Sequence, residues 1–506
     1  MKKFVYIPTG RRQWFNVAVK LRERGIAQPC AWIGDPKLDK LARIEFPECE
    51  VINLRAAMND LHGFEYQVKH THGFMDRPDL LAIRDRAFRM MDRRDPYGAY
   101  HATDRDMTFY RTCLYAISSL ERWQPDFVQF IDAPHSVIHY LLYEVAGHLG
   151  IPTWSFSPWS FAPVISLRPG IFGEPIELKH PQHPIDIHSA VDEFLDRFRD
   201  EQKEFDPFYM QRQRRIDRNT RSLKARAYRT VIKPLKQAKA RLSEEPGHRK
   251  EKGLLDESRL HLLEPLFRQH FVEKRRNALK QRLAEVENQV ATKHKEYVFY
   301  PLQYEPERTT VPDGMDHYDQ CRTLIRLREF VPRHIPILVK EHYSQLTRAL
   351  QGYKGRSPQL YNLVEELHNC HLVPVSADPK SLIRNSELTV SITGSAALEA
   401  ACMGSLGMTF GCPWFRGAPG VVQYRADMNF ETVLSTDRVD LDHIRKWLIQ
   451  RFKTAGLFGC INPSNRKHFA RFYSADNADE AELNNIIDAM EQAVNGPGIE
   501  ARSAAS

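Results

Sequence analysis

The chain has 506 residues, 42% of them apolar and 27% charged, a composition that fits a globular protein of two to four domains rather than a disordered or fibrous one. Its net charge of +8 is local: residues 201–250 hold 15 Lys and Arg against 6 Asp and Glu, a net of +9, so a uniformly basic surface is excluded. No apolar run reaches the roughly 18 residues of a membrane span, "MKKFVYIPTG" is too short in apolar residues for a signal peptide, and the eight cysteines are scattered without a CxxC pair, which argues against a zinc or disulfide framework and for a reducing cytoplasm.

Taken in chain order, the first 160 residues alternate strand and helix signals. "KFVYIP" reads as a strand, and "QWFNVAVKLRERG" has helical spacing with Gly25 as a C-cap. "PCAWIG" and "CEVINL" follow as strands, and residues 60–110 read as an elaboration with some helix. "MTFYRTCLYAISSLERW" is a helix, "PDFVQFID" a strand, "SVIHYLLYEVAGHLG" a helix and "IPTWSFS" a strand. Such alternation predicts a parallel sheet covered on both faces. Two strand ends carry candidate cleft residues: Gly10 and Arg11 in "IPTGRRQWF", and Asp132 and His135 in "FIDAPHS". Asp132 suits a cleft carboxylate or the cap of the next helix, although Ser136 is the better cap. Neither GxGxxG nor GxxxxGK[ST] occurs, so dinucleotide and P-loop readings lack support.

From 185 to 295 the chain is polar, basic and helix-favouring. Within it, "YRTVIKPLKQAKARL" intersperses aliphatic with basic residues. A solvated helical face and a peripheral contact with an anionic membrane are both open readings. Nucleic acid ranks last, because no DNA- or RNA-reading motif accompanies the charge.

From 296 the alternation returns, with strands predicted in "EYVFYPL", "PILVKEH", "CHLVPV", "LTVSI" and "LGMTFG" and helices between them. The last two helices are "DLDHIRKWLIQRFKTAG" and "EAELNNIIDAMEQAVNG". The predicted units are therefore 1–184, a first α/β domain; 185–295, a helical insertion; 296–495, a second α/β domain; and 496–506, a disordered tail.

Three strand ends of the second half carry the chemistry. "LTVSITGSAALEAACMG" turns from strand to helix through Thr393, Gly394 and Ser395, where free backbone N–H groups meet the positive end of a helix dipole. Glu399 lies one turn on; if Ser395 is the N-cap, the capping-box position is Leu398, which leaves Glu399 for ligand hydroxyls. An ordinary turn between strand and helix is the plainer alternative. "PILVKEHY" puts Lys340 and His342 on one face of a strand end, suited to a phosphate or leaving group. "LQYEPERTT" offers Glu305 and Glu307 as candidate acid or base, with Arg308 and Thr309 as anion ligands.

These stretches, "FYPLQYEPERTT", "ILVKEHY" and "SLIRNSELTVSITGSAALEAACMGSLGMTFG", resemble the capsular-polysaccharide biosynthesis glycosyltransferases, including enzymes that add Kdo to lipid-linked capsule chains. The resemblance covers about residues 297–414. Glu307 matches the glutamate of the family's Gln-Pro-Glu loop, His342 its His-Pro element, and Thr393, Gly394, Ser395 and Glu399 its nucleotide-contacting turn and helix. Glu305 stands where the family has Gln, and Tyr343 where it has Pro. The resemblance implies a GT-B fold, two Rossmann-like domains facing across a cleft, and transfer without an obligatory metal or cofactor. The second domain would bind the nucleotide-sugar, CMP-Kdo among the candidates, and the first a glycan or glycolipid acceptor at the inner face of the cytoplasmic membrane. Other GT-B reactions, such as sugar-nucleotide epimerisation or polyol-phosphate transfer, and a non-catalytic capsule-assembly subunit are the rival readings.

Overall fold

The structure, a computed structural model, describes residues 1–53, 67–95, 98, 100–179, 181, 184–199, 264–287, 296–347, 351–474 and 476–496. The basic stretch 201–250 and the tail beyond 496 lie outside the described residues.

Two sheets organise the described chain. In the first half run β1 (Lys2–Ile7), β2 (Ala27–Gly34), β3 (Glu50–Asn53), β4 (Phe127–Phe130), β5 (Thr153–Pro158) and β6 (Val164–Pro169). In the second run β7 (Val298–Pro301), β8 (Ile337–Lys340), β9 (Cys370–Val373), β10 (Leu388–Ser391), β11 (Leu406–Thr409) and β12 (Val421–Gln423), followed by β13 (Leu457–Phe458). The spatial orders are β3-β2-β1-β4-β5-β6-β13 and β9-β8-β7-β10-β11-β12. Each sheet thus grows outward in both directions from its first strand, the doubly wound Rossmann order. β4, β8, β10 and β11 are buried along their whole length. Helices cover both faces, which is why these strands read as short apolar runs without polar alternation. Two Rossmann-like domains with the carboxyl ends of their strands opposed make the GT-B arrangement.

The first sheet departs from the expected pattern at its far edge. β6 pairs antiparallel with β5, Ser155 opposite Arg168, and β13 pairs antiparallel with β6. "VISLRP" escapes sequence reading because an arginine occupies a position buried in the sheet, and β13 has two residues. The helix Ala478–Asn495 also returns to the first domain. Its Ile486, Ile487 and Met490 share a core with Trp14, Val17 and Leu21 of the helix Arg12–Glu23. The predicted unit 296–495 therefore sends its last segment into the first domain's core.

Of the predicted insertion 185–295, two helices are described. Ile187–Arg199 packs Val191, Phe194 and Leu195 against Ile444, Leu448 and Phe452 of the helix Leu441–Ala455, and Glu264–Glu287 sets Leu279, Leu283 and Val286 into the second domain's core. Among the described residues no helix is long and apolar enough to cross a membrane.

Arg11 is the clearest correction at the N-terminal sheet. It is not a cleft residue: it is 8% exposed and its guanidinium forks onto the Glu482 carboxylate, while Nη1 also donates to the Cys460 carbonyl at 2.7 Å. A buried arginine takes a carboxylate partner because an unpaired charge in the interior is heavily disfavoured. Gly10 sits against the end of β2, where a Cβ would meet Asp35 Oδ2 at 2.5 Å. Glu482→Gln, which keeps the shape and removes the charge, is expected to cost about 1.5–3 kcal/mol in equilibrium urea unfolding; no change would mean that the C-terminal helix is not held by this pair.

Candidate active site

Adjacency in the second sheet sets the site. β10, β7 and β8 are neighbours in parallel register, so the loops at their carboxyl ends lie side by side. All three chemistry-bearing stretches sit on those loops. The seam between β7 and β10, where the strand order reverses, is closed by Gln303: its Oε1 accepts from the Thr393 N–H at 3.1 Å and its Nε2 donates to Thr393 Oγ1 at 3.1 Å. Thr393 Oγ1 in turn donates to the Thr309 carbonyl. Gln303 was absent from the sequence candidates, although it lies within "LQYEPERTT"; a lone Gln at a strand end carries no periodic signal.

Arg308 crosses from the second domain to the first. Its Nη1 donates to Asp132 Oδ1 at 2.5 Å, and its Nε lies 3.9 Å from Asp313 Oδ2. Asp132 also accepts from the Ala133 N–H at 2.9 Å, while Ser136 accepts from His139 N as the helix cap. Asp132 is thus the cross-domain carboxylate and not the cap. His135, exposed beside it, is anchored through Nδ1 to the Ala133 carbonyl at 2.8 Å. Around this contact the domains are laced by Arg93 to the carbonyls of His135 and Val311, by Arg86 to Asp316, by Arg89 to Asp319, and by the Tyr318 hydroxyl to Asp85.

The two glutamates of the β7 loop have different fates. Glu307 reaches the surface, and its Oε2 accepts from Thr309 Oγ1 at 3.2 Å. The protein around the seam strips part of its water and raises its pKa, against the pull of Arg308 and the Thr309 hydroxyl. Glu305 is a correction. It is 8% exposed and turned inward onto Arg356, whose Nη1 lies 3.1 Å from Glu305 Oε2. Arg356 also holds Glu341 at 2.7 Å and donates to the Gln303 carbonyl at 2.8 Å. A carboxylate 8% exposed and paired with a buried arginine is withdrawn from the cleft, so its placement is that of a structural ion and not of an acid or base.

At the end of β8, His342 Nδ1 accepts from the Ser344 N–H at 3.1 Å, so the ring proton resides on Nε2. Burial lowers the His342 pKa to about 4, and the ring is a neutral N–H donor at pH 7. Lys340 is buried and donates to the Val375 carbonyl at 2.8 Å, joining the ends of β8 and β9. In the third loop, Ser395 occupies the cap position of the helix Ala396–Cys402 without capping it; its hydroxyl donates to Glu399 Oε1 at 2.6 Å. The expectation that Glu399 stands free for ligand hydroxyls is corrected accordingly, and burial raises its pKa. Gly394 leaves the turn open: a Cβ there would meet nothing closer than Ser391 Cβ at 3.5 Å.

Burial likewise holds the pKa of His139 to about 3 and that of His317 to about 4. Unfolded, each protonates near 6.5. The native state therefore binds fewer protons between those values, and stability falls as pH falls from about 6.5 to about 4, by up to about 1.4 kcal/mol per pH unit for each ring. Urea unfolding at stepped pH should show this steepening; a flat profile over that window would mean that the rings protonate within the fold.

No family model matches the chain, and no curated protein does. Solved structures similar to it include the beta Kdo 2,7 transferase KpsC of Thermosulfurimonas dismutans, at 15% identity over 35% of this chain and 55% of that one, with a TM-score of 0.23. The UDP-GlcNAc 2-epimerase of Neisseria meningitidis is 11% identical over 96% of this chain and 99% of that one, with a TM-score of 0.18. The glycosyltransferase SnogD of Streptomyces nogalater is 10% identical over 89% and 93%, with a TM-score of 0.19. The chain spans about half the length of the Kdo transferase it matches. Likenesses of this size assign no reaction and no substrate to it.

Proposed function

We propose that the chain transfers a sugar from a nucleotide-sugar, with CMP-Kdo among the candidate donors, to a capsule or other surface-polysaccharide acceptor. The observation that carries this reading is the Arg308–Asp132 bridge at 2.5 Å, which brings the switch points of both doubly wound sheets to one place. Ligands of such sheets sit at the carboxyl ends of the strands where the order reverses. Donor and acceptor bound one per domain would then meet between Glu307 and Asp132.

On this reading the turn Thr393–Gly394–Ser395 borders the donor phosphate, with Glu399 and Ser395 as one hydrogen-bonded unit beside it. Arg308 and the Nε2–H of His342 meet the charge that develops on the leaving nucleotide, with Thr309 and Lys340 holding the two loops. Glu307, its pKa raised by the crowded seam, draws the proton from the attacking hydroxyl. Asp132 and His135 flank the acceptor. The enzyme works at the inner face of the cytoplasmic membrane, where the net +9 of residues 201–250 meets anionic headgroups.

A thermal-shift screen of the full chain against CMP, UDP, GDP and CDP tests this. A base that binds the native fold raises stability by about 2.7 kcal/mol at 100 times its Kd. No shift with any of the four would sink the reading. Turnover of the nucleotide-sugar without acceptor would favour an epimerase, and binding without turnover a non-catalytic subunit.

A further inference from the structure

The loop after β7 brings a further carboxylate to the seam. Asp313 is 7% exposed, and its backbone is pinned on both sides: its N–H donates to the Arg308 carbonyl at 3.4 Å, and its carbonyl accepts from the Cys412 N–H at 2.9 Å. The side chain is less well served. Oδ2 lies 3.9 Å from Arg308 Nε, beyond hydrogen-bond range, and Oδ1 is buried with no hydrogen-bond partner among the described residues. Charges of both domains act on this carboxyl. Burial raises its pKa, Arg308 and the Arg168 of β6 pull it back, and Asp132 adds to the rise.

Arg308 therefore stands between two carboxylates and is hydrogen-bonded to one of them. Its Nη1 is given to Asp132 at 2.5 Å, across the domain boundary. Arg356 behaves differently: it closes on both of its carboxylates, at 3.1 Å and 2.7 Å, and is sealed from solvent. The Arg308 and Asp132 side chains keep 24% and 23% of their surface, so a ligand can reach both. A buried carboxylate with an open oxygen gains a charge-assisted hydrogen bond if a donor approaches. A shift of Arg308 by about 1 Å would bring Nε into that range. A guanidinium can serve one anion with its Nε edge and another with its Nη edge, and phosphate suits the latter.

We propose that Asp313 is a positioning residue that shares Arg308 with Asp132. The donor phosphate draws the Nη edge of Arg308 off Asp132, and Asp313 keeps the Nε edge in the second domain. Asp132 then becomes a free carboxylate for the acceptor only after the nucleotide has bound. This inference rests on the transferase reading.

The test is a thermal-shift titration of the full chain and two variants with CMP, UDP, GDP and CDP. Asp132→Asn removes the competitor for Arg308 and should tighten the nucleotide that binds at least threefold. Asp313→Asn leaves Arg308 to Asp132 alone, so the phosphate must break that pair unaided, and binding should weaken at least threefold. Opposite signs are the signature of a shared cation. Simple repulsion between carboxylate and phosphate would make both variants tighten, and that result overturns the proposal. So does an unchanged affinity in either variant, which would make Asp313 structural. Should Asp313→Asn not fold, the wild-type protein decides. Carbodiimide labelling of Asp132, read by mass spectrometry, should quicken at least threefold when the nucleotide is added, and an equal or slower rate overturns the proposal. Absence of any nucleotide shift in the wild type is a different failure, that of the transferase reading itself, and it removes this inference with it.

Discussion

Replacing Arg356 by methionine is expected to lower stability by about 3–5 kcal/mol, because it leaves two buried carboxylates facing each other without their cation. Arg356 is 2% exposed and spans three segments of the second domain. It holds Glu341 at the end of β8, Glu305 and the Gln303 carbonyl after β7, and through Glu341 it supports the Tyr361 hydroxyl at 2.6 Å. Gln345 completes the cluster, accepting from the Glu305 N–H at 3.0 Å and donating to the Glu305 carbonyl at 2.9 Å. The backbone approach is close enough that a Cβ on Gly355 would sit 2.5 Å from the Glu305 carbonyl carbon. Arg356→Lys should recover only part of the loss, since an ammonium cannot reproduce the fork. The measurement is the urea midpoint at pH 7. A methionine variant as stable as the wild type would show that this cluster contributes no net stability. Because the cluster joins the loops that carry Glu307 and His342, the variant should also weaken nucleotide binding at temperatures where it remains folded.

Glu307→Gln is expected to lower kcat by about 10²–10⁴-fold, the contribution of a positioned general base, with nucleotide binding retained. Glu307 is exposed and its carboxylate accepts from the Thr309 hydroxyl, so the change carries little cost to folding. The pH profile separates a base from a bystander. Activity should rise with pH through a pKa above the ordinary glutamate value, because the protein around the seam strips part of the water from the Glu307 carboxyl. That limb should vanish in Glu307→Gln. His342 cannot supply it, being neutral above about pH 4. His342→Ala should instead lower kcat with the limb unchanged, as a donor to the leaving group would. A Glu307→Gln enzyme with wild-type turnover and profile would remove this residue from the chemistry.

The second domain was more legible in the sequence than the first. Its strands are short apolar runs ended by turn residues, and each candidate motif followed one directly. "LTVSITGSAALEAACMG" shows strand, turn and helix in its residue pattern alone. In the first domain, β6 was hidden by Arg168 at a buried position, and β13 by its two residues. The partners of the motif residues were less legible still. Gln303 looked like any polar residue at a strand end. Arg356, in "QGYKGRSP", looked like a loop arginine, yet it decides that Glu305 is structural. Arg11 read as a cleft residue because it follows β1; its partner Glu482 is 471 residues away along the chain.

The sequence by itself determined the class of fold, two alternating α/β units, and the order in which the candidate motifs follow their strands, because periodicity, capping and turn chemistry are local properties. The tertiary structure alone decided which charges meet. The strand order β9-β8-β7-β10 placed three separated motifs side by side, and domain contact paired Arg308 with Asp132. Burial then sorted otherwise equivalent residues, sending Glu305 to Arg356, Arg11 to Glu482 and Glu307 to the surface. Coulomb energy and desolvation depend on distance and dielectric, and neither is written in the spacing of residues along a chain.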